Sequence, residues 1–260
     1  MEEITKNEVL AHINLSLKRM NTDYIDLIQL HNPEKLPNPN DKNSTYQALL
    51  EAKEKGIVRH IGISLHKYSD AIESVKSGLY ETLQFPLSAI SADRELEIID
   101  LCKEHNVGLI AMKALCGGII TNAKMAFAFL RQFKNVVPIW GIQKIEELDE
   151  FLSYEKNPPQ LDSKMLQLID KEREELSGEF CRGCGYCMPC PVGIPLPMAA
   201  RMYYLLRRSS VESLTNKEWQ EKMARIDDCT NCGLCRTKCP YHLDTPKLIK
   251  EMYEDFKTFI

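Results

Sequence analysis

The sequence lacks the features that would take a chain into or across a membrane. Its first 20 residues carry charges throughout and contain no apolar run near the roughly 18 residues that span a bilayer. The short apolar core of a secretion signal is also missing. We therefore expect a cytoplasmic protein with no membrane partner.

An excess of positive charge is missing as well. The 33 Lys and Arg residues stand against 37 Asp and Glu residues, which gives a net charge of -4, and no basic stripe is present. Because bulk attraction to nucleic acid needs such an excess, we expect no nucleic-acid partner. The 44% hydrophobic and 27% charged residues are typical of a globular protein.

What the sequence does have is cysteine, and the cysteines are unevenly placed. Eight of the ten fall between Cys181 and Cys239. Thiols stay reduced in the cytoplasm, so clustered cysteines there favour metal binding or redox chemistry over disulfides.

These eight cysteines form two runs, each closed by a Cys-Pro pair. The first motif contains Cys181, Cys184, Cys187 and Cys190, and the second contains Cys229, Cys232, Cys235 and Cys239. In such runs three thiolates bind one iron-sulfur cluster, and the cysteine before proline binds the other. The pattern assigns Cys239 to the cluster of the first motif and Cys190 to that of the second. The first motif departs from the pattern, since two residues rather than three separate Cys187 from Cys190.

Zinc is the alternative metal for these motifs. It binds four thiolates supplied as two CxxC pairs and has no use for the third and fourth cysteine of each run. We therefore predict two 4Fe-4S clusters. Gly183, Gly185 and Gly233 would let backbone N–H groups approach and donate hydrogen bonds to sulfur.

Ahead of the cysteines, short apolar runs alternate with amphipathic segments, which predicts successive βα units and a parallel sheet. The strand candidates are Tyr24 to Leu30, Val58 to Ser64, Glu81 to Pro86, Gly108 to Met112 and Val136 to Ile142. The helix candidates are Lys6 to Arg19, Tyr46 to Lys55, Tyr68 to Lys76, Arg94 to His105, Asn122 to Lys134 and Lys144 to Tyr154. Gly56 and Gly78 follow two of these helices and are expected to end them in the left-handed conformation.

A linker is expected at Asn157 to Pro159, followed by a helix from Asp162 to Leu176 and a break at Ser177 and Gly178. Helices are also predicted from Met198 to Arg207, Asn216 to Ile226 and Thr245 to about Phe256.

The stretch from Phe180 to about Pro246 resembles the two-cluster bacterial ferredoxin pattern. The long insert between its motifs is similar to that of the α-helical ferredoxin variant. This resemblance implies one-electron transfer through paired 4Fe-4S centres.

The segment Leu17 to Pro33 closely resembles the aldo/keto reductase signature, in which a strand ends at a catalytic histidine. Gly56 to Ser64, Gln84 to Pro86 and the stretch from Gly141 onward are similar to later parts of that family. The implied fold is α/β, a partial (β/α)8 TIM barrel of about five βα units followed by an α-helical ferredoxin-like domain. We expect domains at residues 1–155 and 180–260, joined by a helical linker at 156–179.

The resemblance also implies site residues. His31 matches the histidine that orients the substrate carbonyl, and Ser64 and Gln84 match positions that hold the nicotinamide of NADP(H). Gly141 and Lys144 fall in the phosphate-contacting stretch, where Lys144 alone can pair with a phosphate. Residues at the C-terminal ends of parallel strands face the pocket in such barrels.

Three catalytic residues of the family, an aspartate, a tyrosine and a lysine, belong to βα units that precede the start of this sequence. Because eight strands close the barrel, five leave it open. We expect one of three situations: a partner chain completes the barrel, the iron-sulfur domain caps the open sheet, or the chain is the remnant of a longer gene.

These features together predict an iron-sulfur oxidoreductase of the ferredoxin-fused aldo/keto reductase type, with a redox partner protein or a small-molecule acceptor. The alternative is a non-enzymatic electron-transfer or docking subunit. Lys113, just after a predicted strand, is either a pocket residue or a solvated surface lysine.

Overall fold

The computed structural model describes residues 5–176 and 180–260. The predicted break at Ser177 and Gly178 lies outside these residues. The chain forms two compact units that are not continuous in sequence. Unit 1 contains Met1–Pro86, Asp93–Met112 and Phe133–Ile139, and unit 2 contains Leu87–Ala92, Lys113–Gln132 and Trp140–Ile260.

Unit 1 is a five-stranded parallel sheet with four helices. Its strands are β1 (Ile25–His31), β2 (Val58–Ser64), β3 (Thr82–Pro86), β4 (Gly108–Met112) and β5 (Val136–Pro138). Its helices are α1 (Lys6–Met20), α2 (Thr45–Glu54), α3 (Tyr68–Lys76) and α4 (Asp93–Glu104). The strands lie side by side in chain order. The expected partial barrel of five βα units is confirmed.

Successive residues along each strand point to opposite faces of this sheet. One row of paired residues is apolar and forms the core of the unit: Leu30, Ile63, Leu83, Leu109 and Val136. All of these except Leu30 are buried. The next row, on the opposite face, begins with His31, Ser64 and Gln84.

The ends of the helices in unit 1 follow from local sequence. Thr5 caps α1, because its hydroxyl accepts a hydrogen bond from the N–H of Glu8 while the Glu8 carboxylate accepts one from the N–H of Thr5. Gly56 and Gly78 have φ angles of 72° and 69°. The expectation that glycine ends α2 and α3 in the left-handed conformation is therefore confirmed.

Unit 2 is helical. Its helices are α5 (Ala123–Arg131), α6 (Ile145–Lys156), α7 (Ser163–Glu175), α8 (Leu196–Ala199), α9 (Met202–Arg208), α10 (Val211–Leu214), α11 (Lys217–Ala224), α12 (Leu234–Thr237) and α13 (Thr245–Phe256). Short 3-10 turns occur at Cys116–Gly118, Arg225–Asp228 and Lys257–Phe259. Buried apolar residues between and after the cysteine motifs, among them Ile194, Met202, Met223, Ile249 and Phe256, form one core.

Two predicted elements differ most from the structure. The helix expected from Met198 to Arg207 is divided into α8 and α9, because Arg201 lies outside helical geometry with φ -121° and ψ 1°. The strand expected to reach Ile142 ends at Pro138, ahead of Gly141, whose φ of 72° turns the chain. In the part of the chain that the structure describes, no helix is long and apolar enough to cross a bilayer.

Candidate functional site

The C-terminal ends of the first three strands bring three predicted site residues into one row. His31 pairs in register with Ser64, and Ser64 pairs with Gln84. Backbone hydrogen bonds continue past the strand ends, since the N–H of Asn32 donates to Ser64 O at 2.7 Å and that of Leu65 to Gln84 O at 2.9 Å. The three side chains therefore start from adjacent, rigid positions on the same face of the sheet.

Two hydroxyls on this face are buried without a partner among the described residues, Ser64 Oγ and Thr82 Oγ1. Ser64 is only 2% exposed. The amide of Gln84 donates to the sulfur of Met112 at 3.7 Å, a weak acceptor. Because buried hydroxyls normally have hydrogen-bond partners, this face suits a polar ligand or ordered water.

Gly141 and Lys144, the two other predicted site residues of the barrel, belong to unit 2, where Lys144 precedes α6. The carboxylate of Glu147 accepts hydrogen bonds from the N–H groups of Gln143 at 2.8 Å and Lys144 at 3.3 Å. A negative charge of the chain itself thus occupies the start of α6, the kind of position where a phosphate binds. The roles of these five residues stay predictions.

The eight cysteines of the two motifs, all in unit 2, form two sets in space. The first cysteine group consists of Cys181, Cys184, Cys187 and Cys239, whose thiols interact electrostatically with one another. The group draws on both sequence motifs, and its members are the four residues that the spacing pattern assigned to one cluster. That they are ligands stays a prediction.

Burial is the largest influence on the pKa of the Cys181, Cys184 and Cys187 thiols, and it raises each of them. It raises the pKa of the Cys187 thiol to about 12, with smaller contributions from the neighbouring thiols. The N–H of Gly183, which has a φ of 63°, donates to Cys181 Sγ at 3.4 Å. Crowded, buried thiols resist ionisation, and positively charged iron offsets that cost by binding them as thiolates.

The second cysteine group consists of Cys190, Cys229, Cys232 and Cys235, which line one pocket. Its other walls are mostly apolar and include Pro191, Ile194 and Ile249. Cys187 also lines this pocket, so it adjoins both groups. Cys232 is the exposed member.

In residues 5–176 and 180–260, no three His, Cys, Asp or Glu side chains lie close enough together to share a single metal ion. The ligands of a 4Fe-4S cubane bind four different iron atoms and need not meet that condition. Thiolates are the donors that these clusters use, and each group supplies four of them. The donor chemistry of both groups therefore fits a 4Fe-4S cluster.

Lys113, the residue directly after β4, contacts the first motif. Its ammonium donates to Gly183 O at 3.3 Å. Lys113 has a φ of 60°, and Cys116, in the same loop, has a φ of 51°. Such left-handed conformations of non-glycine residues cost about 1 kcal/mol or more each and often mark functional positions. Lys113 is therefore not a solvated surface lysine, which was one of the two alternatives for this residue.

Arg201 was missed by sequence reasoning. Its side chain is buried, with the residue 7% exposed, and it donates to Gly117 O at 2.8 Å and Pro197 O at 2.9 Å. Its positive charge also acts on the thiol of Cys181. The available signal is a single cation inside the apolar stretch from Leu196 to Leu206, where the sequence pattern predicts an ordinary helix.

Comparison with known families identifies both parts of the chain. Residues 1–126 match the model of the aldo/keto reductase family. Residues 180–244 match the model of the 4Fe-4S dicluster domain.

Two curated relatives illustrate how far the first match extends. The chain is 33% identical over 124 residues to methylglyoxal reductase DkgB of Salmonella typhi, which covers 45% of this chain and 44% of that protein. It is 34% identical over 118 residues to the uncharacterized oxidoreductase YcsN of Bacillus subtilis, covering 44% of this chain and 38% of that protein. The chain thus spans less than half the length of these relatives.

Solved structures support the fold. The apo form of aldo-keto reductase AKR11C1 from Bacillus halodurans aligns with a TM-score of 0.53 at 22% identity, over 64% of this chain and 68% of that chain. The Bombyx mori aldo-keto reductase AKR2E4, solved in complex with NADP, aligns with a TM-score of 0.50 at 16% identity, over 65% and 64%. The chain therefore carries a part similar to the aldo/keto reductase family, residues 1–126, followed by a part similar to the 4Fe-4S dicluster domain, residues 180–244.

Proposed function

We propose that the chain is an iron-sulfur oxidoreductase with two 4Fe-4S clusters, one held by each cysteine group. Electrons pass through the clusters to or from a site at the strand ends, where His31, Ser64 and Gln84 lie. The redox partner is a protein or a small-molecule acceptor.

One observation carries this proposal: the hydrogen bond from Lys113 Nζ to Gly183 O at 3.3 Å. It joins the residue that directly follows β4 to the peptide between two cysteines of the first group. Active sites of βα barrels are built from loops that follow the strands. The loop after β4, which begins at Lys113, belongs to the same compact unit as both cysteine groups.

The clusters, when bound, each supply one electron at a time. Two electrons and two protons convert a carbonyl into an alcohol, so a pair of clusters matches the electron count of that reaction. The imidazole of His31 can donate a hydrogen bond to the oxygen on which negative charge develops. Ser64 and Gln84 can hold a polar group of the substrate or of NADP(H) beside it.

The experiment is anaerobic reconstitution followed by iron and sulfide determination, EPR of the reduced protein, and assay of NAD(P)H oxidation with a carbonyl or a viologen acceptor. We expect about eight iron and eight sulfide per chain, two EPR signals and turnover, because each 4Fe-4S cluster holds about four of each. A Cys239→Ser variant should lose about half of the iron, whereas Cys102→Ala, in α4, should keep all of it. No turnover with any acceptor and no nucleotide binding would contradict the enzymatic role.

A second function is favoured by the Glu147 carboxylate at the start of α6. Its hydrogen bonds with the N–H groups of Gln143 and Lys144 take up donors that a nucleotide phosphate would use. In this alternative the chain binds no nucleotide and acts as a non-enzymatic electron-transfer or docking subunit. Calorimetry with NADPH distinguishes the two, with Glu147→Ala as the variant that frees the donors and Glu146→Ala as its control.

A further inference from the structure

We propose that Lys113 and Arg201 are positioning residues that hold the cluster of the first cysteine group at a higher reduction potential than the cluster of the second group. This inference rests on the proposed function, since it requires both groups to bind 4Fe-4S clusters. The inference is based on one contrast between the two groups. Lys113 and Arg201 lie beside the first cysteine group, whereas mostly apolar residues surround the second.

Arg201 carries the stronger part of the argument. Its guanidinium is buried and is held by two carbonyl oxygens, those of Gly117 and Pro197, and by the sulfur of Met198 at 3.6 Å. Over the described ranges of the chain, no carboxylate forms a salt bridge with it. A buried cation is costly unless an anion compensates it. Cys181, whose thiol interacts electrostatically with Arg201, would supply the compensating anion when it binds a cluster as a thiolate.

Glycines make room for this guanidinium on both sides. A Cβ at Gly117 would lie 2.5 Å from Arg201 Nη1, and a Cβ at Gly183 would lie 2.8 Å from Arg201 Cζ. Any larger side chain at either position would displace the guanidinium from the peptide that follows Cys181. The cation is therefore fixed between the loop after β4 and the first motif, which belong to the same unit.

Lys113 adds a second charge on the same side. The ammonium acts on the thiol of Cys184 and donates to Gly183 O. Its backbone keeps a left-handed φ of 60°, a conformation that persists only when surrounding contacts stabilise it.

Among the residues that the structure describes, the second cysteine group has no comparable cations. None of the residues lining its pocket is charged. Arg236, next to Cys235, forms a salt bridge with Asp244 at 2.6 Å, and the pair is exposed. Arg225 approaches Gly193, which does not line the pocket, and is itself exposed.

Charge then decides the order of the two potentials. Reducing a cluster adds one negative charge, and a nearby cation at low dielectric stabilises that charge strongly. Solvent screens exposed cations, so their effect is weaker. An electron that enters the pair should consequently reside on the cluster of the first group, which adjoins the loop after β4.

The test is an EPR-monitored potentiometric titration of the reconstituted protein, compared with Lys113→Met, Lys113→Arg, Arg201→Met and Arg201→Lys. The signal that changes in Cys232→Ser is assigned to the second group. The remaining signal belongs to the first cysteine group. We expect each methionine variant to lower the equilibrium constant for reduction of that cluster by at least about tenfold, which lowers its midpoint potential by about 59 mV for one electron. The Lys113→Arg and Arg201→Lys variants should recover most of the shift because they retain the charge.

Lys124→Met is the matched control, because Lys124 is an exposed cation on α5 in the same unit. It should leave both midpoints unchanged. Equal shifts of both midpoints, or no shift in Lys113→Met, would overturn the inference while leaving the clusters in place. If Arg201→Met does not load iron, the two Lys113 variants still decide the result. A wild-type protein with no iron-sulfur signal would overturn the proposed function and this inference together.

Discussion

The hydroxyl oxygen of Thr82 lies 2.1 Å from the position that a Cβ at Gly62 would occupy. The two residues are register partners on β2 and β3. Glycine at position 62 is therefore required by the neighbouring strand and not by its own backbone angles, since its φ is not in the left-handed region.

Gly62→Ala should destabilise unit 1 by about 1–3 kcal/mol, because the added methyl group forces Thr82 and the backbone of β3 to shift. The midpoint of urea unfolding, followed by circular dichroism, measures the effect. Gly108→Ala is the control on β4, which lies on the other side of β3, and the nearest atom to a Cβ there would lie at 3.5 Å. Equal midpoints for the two variants would show that β3 gives way without cost.

Glu81 should make unit 1 sensitive to acid. Burial raises the pKa of its carboxyl, but hydrogen bonds from Lys53, His60 and the N–H of Ile61 outweigh burial and lower it to about 2, from an ordinary value of 4.5. A carboxyl whose pKa is lower in the folded state contributes stability above the unfolded pKa, and this is lost as the pH falls from about 4.5 towards about 2.

We therefore expect Glu81→Gln to be less stable than wild type at pH 7 and to lose less stability between pH 5 and pH 3. Unfolding midpoints at each pH measure this difference. Glu54→Gln, an exposed carboxylate at the end of α2, is the control and should behave as wild type. Parallel curves for wild type and Glu81→Gln would contradict the linkage.

Phe151 should be a major stabilising residue of unit 2. It is 5% exposed and lies against Trp140 at 4.6 Å and Phe127 at 6.3 Å between ring centroids. Removing a buried aromatic ring costs roughly 3–5 kcal/mol, so Phe151→Ala should strongly lower the unfolding midpoint. Leu152→Ala, on the next residue of α6 and 48% exposed, should change it by less than about 0.5 kcal/mol.

Arg207 and Asp255 should couple α9 to α13. Two hydrogen bonds, at 2.8 and 2.7 Å, join the guanidinium to the carboxylate. Because the Arg207 side chain is 38% exposed, solvent screening limits the coupling to about 0.5–1 kcal/mol. A double-mutant cycle with Arg207→Met and Asp255→Asn measures it. The same cycle on the exposed pair Lys247 and Glu251, 3.8 Å apart, should give a value near zero.

Sequence patterns were most accurate where a segment's own residues decide its structure. The bounds of β2, α3, β4 and α13 are those expected, since apolar runs and nearby glycine or proline residues delimit them. The row of His31, Ser64 and Gln84 also follows, because the sequence places His31 directly after one parallel strand, Ser64 at the end of the next and Gln84 two residues before the end of the third.

Tertiary contacts explain what the sequence did not reveal. The break at Arg201 depends on Gly117, which is 84 residues away in the chain. The position of Lys113 depends on Gly183, 70 residues away. Arg207 forms an ion pair with Asp255, and Arg208 forms ion pairs with Glu172 and Glu175. No periodicity or spacing rule reports such distant partners.

Helix α13 has a practical consequence for handling the protein. Its Pro246 and Ile249 form part of the wall around the second cysteine group, and its Phe256 is fully buried. Ile260 is 57% exposed, so an affinity tag after it should be tolerated. A stop codon before Thr245 would remove that wall, so a cluster held by the second cysteine group would be more exposed to dioxygen during purification.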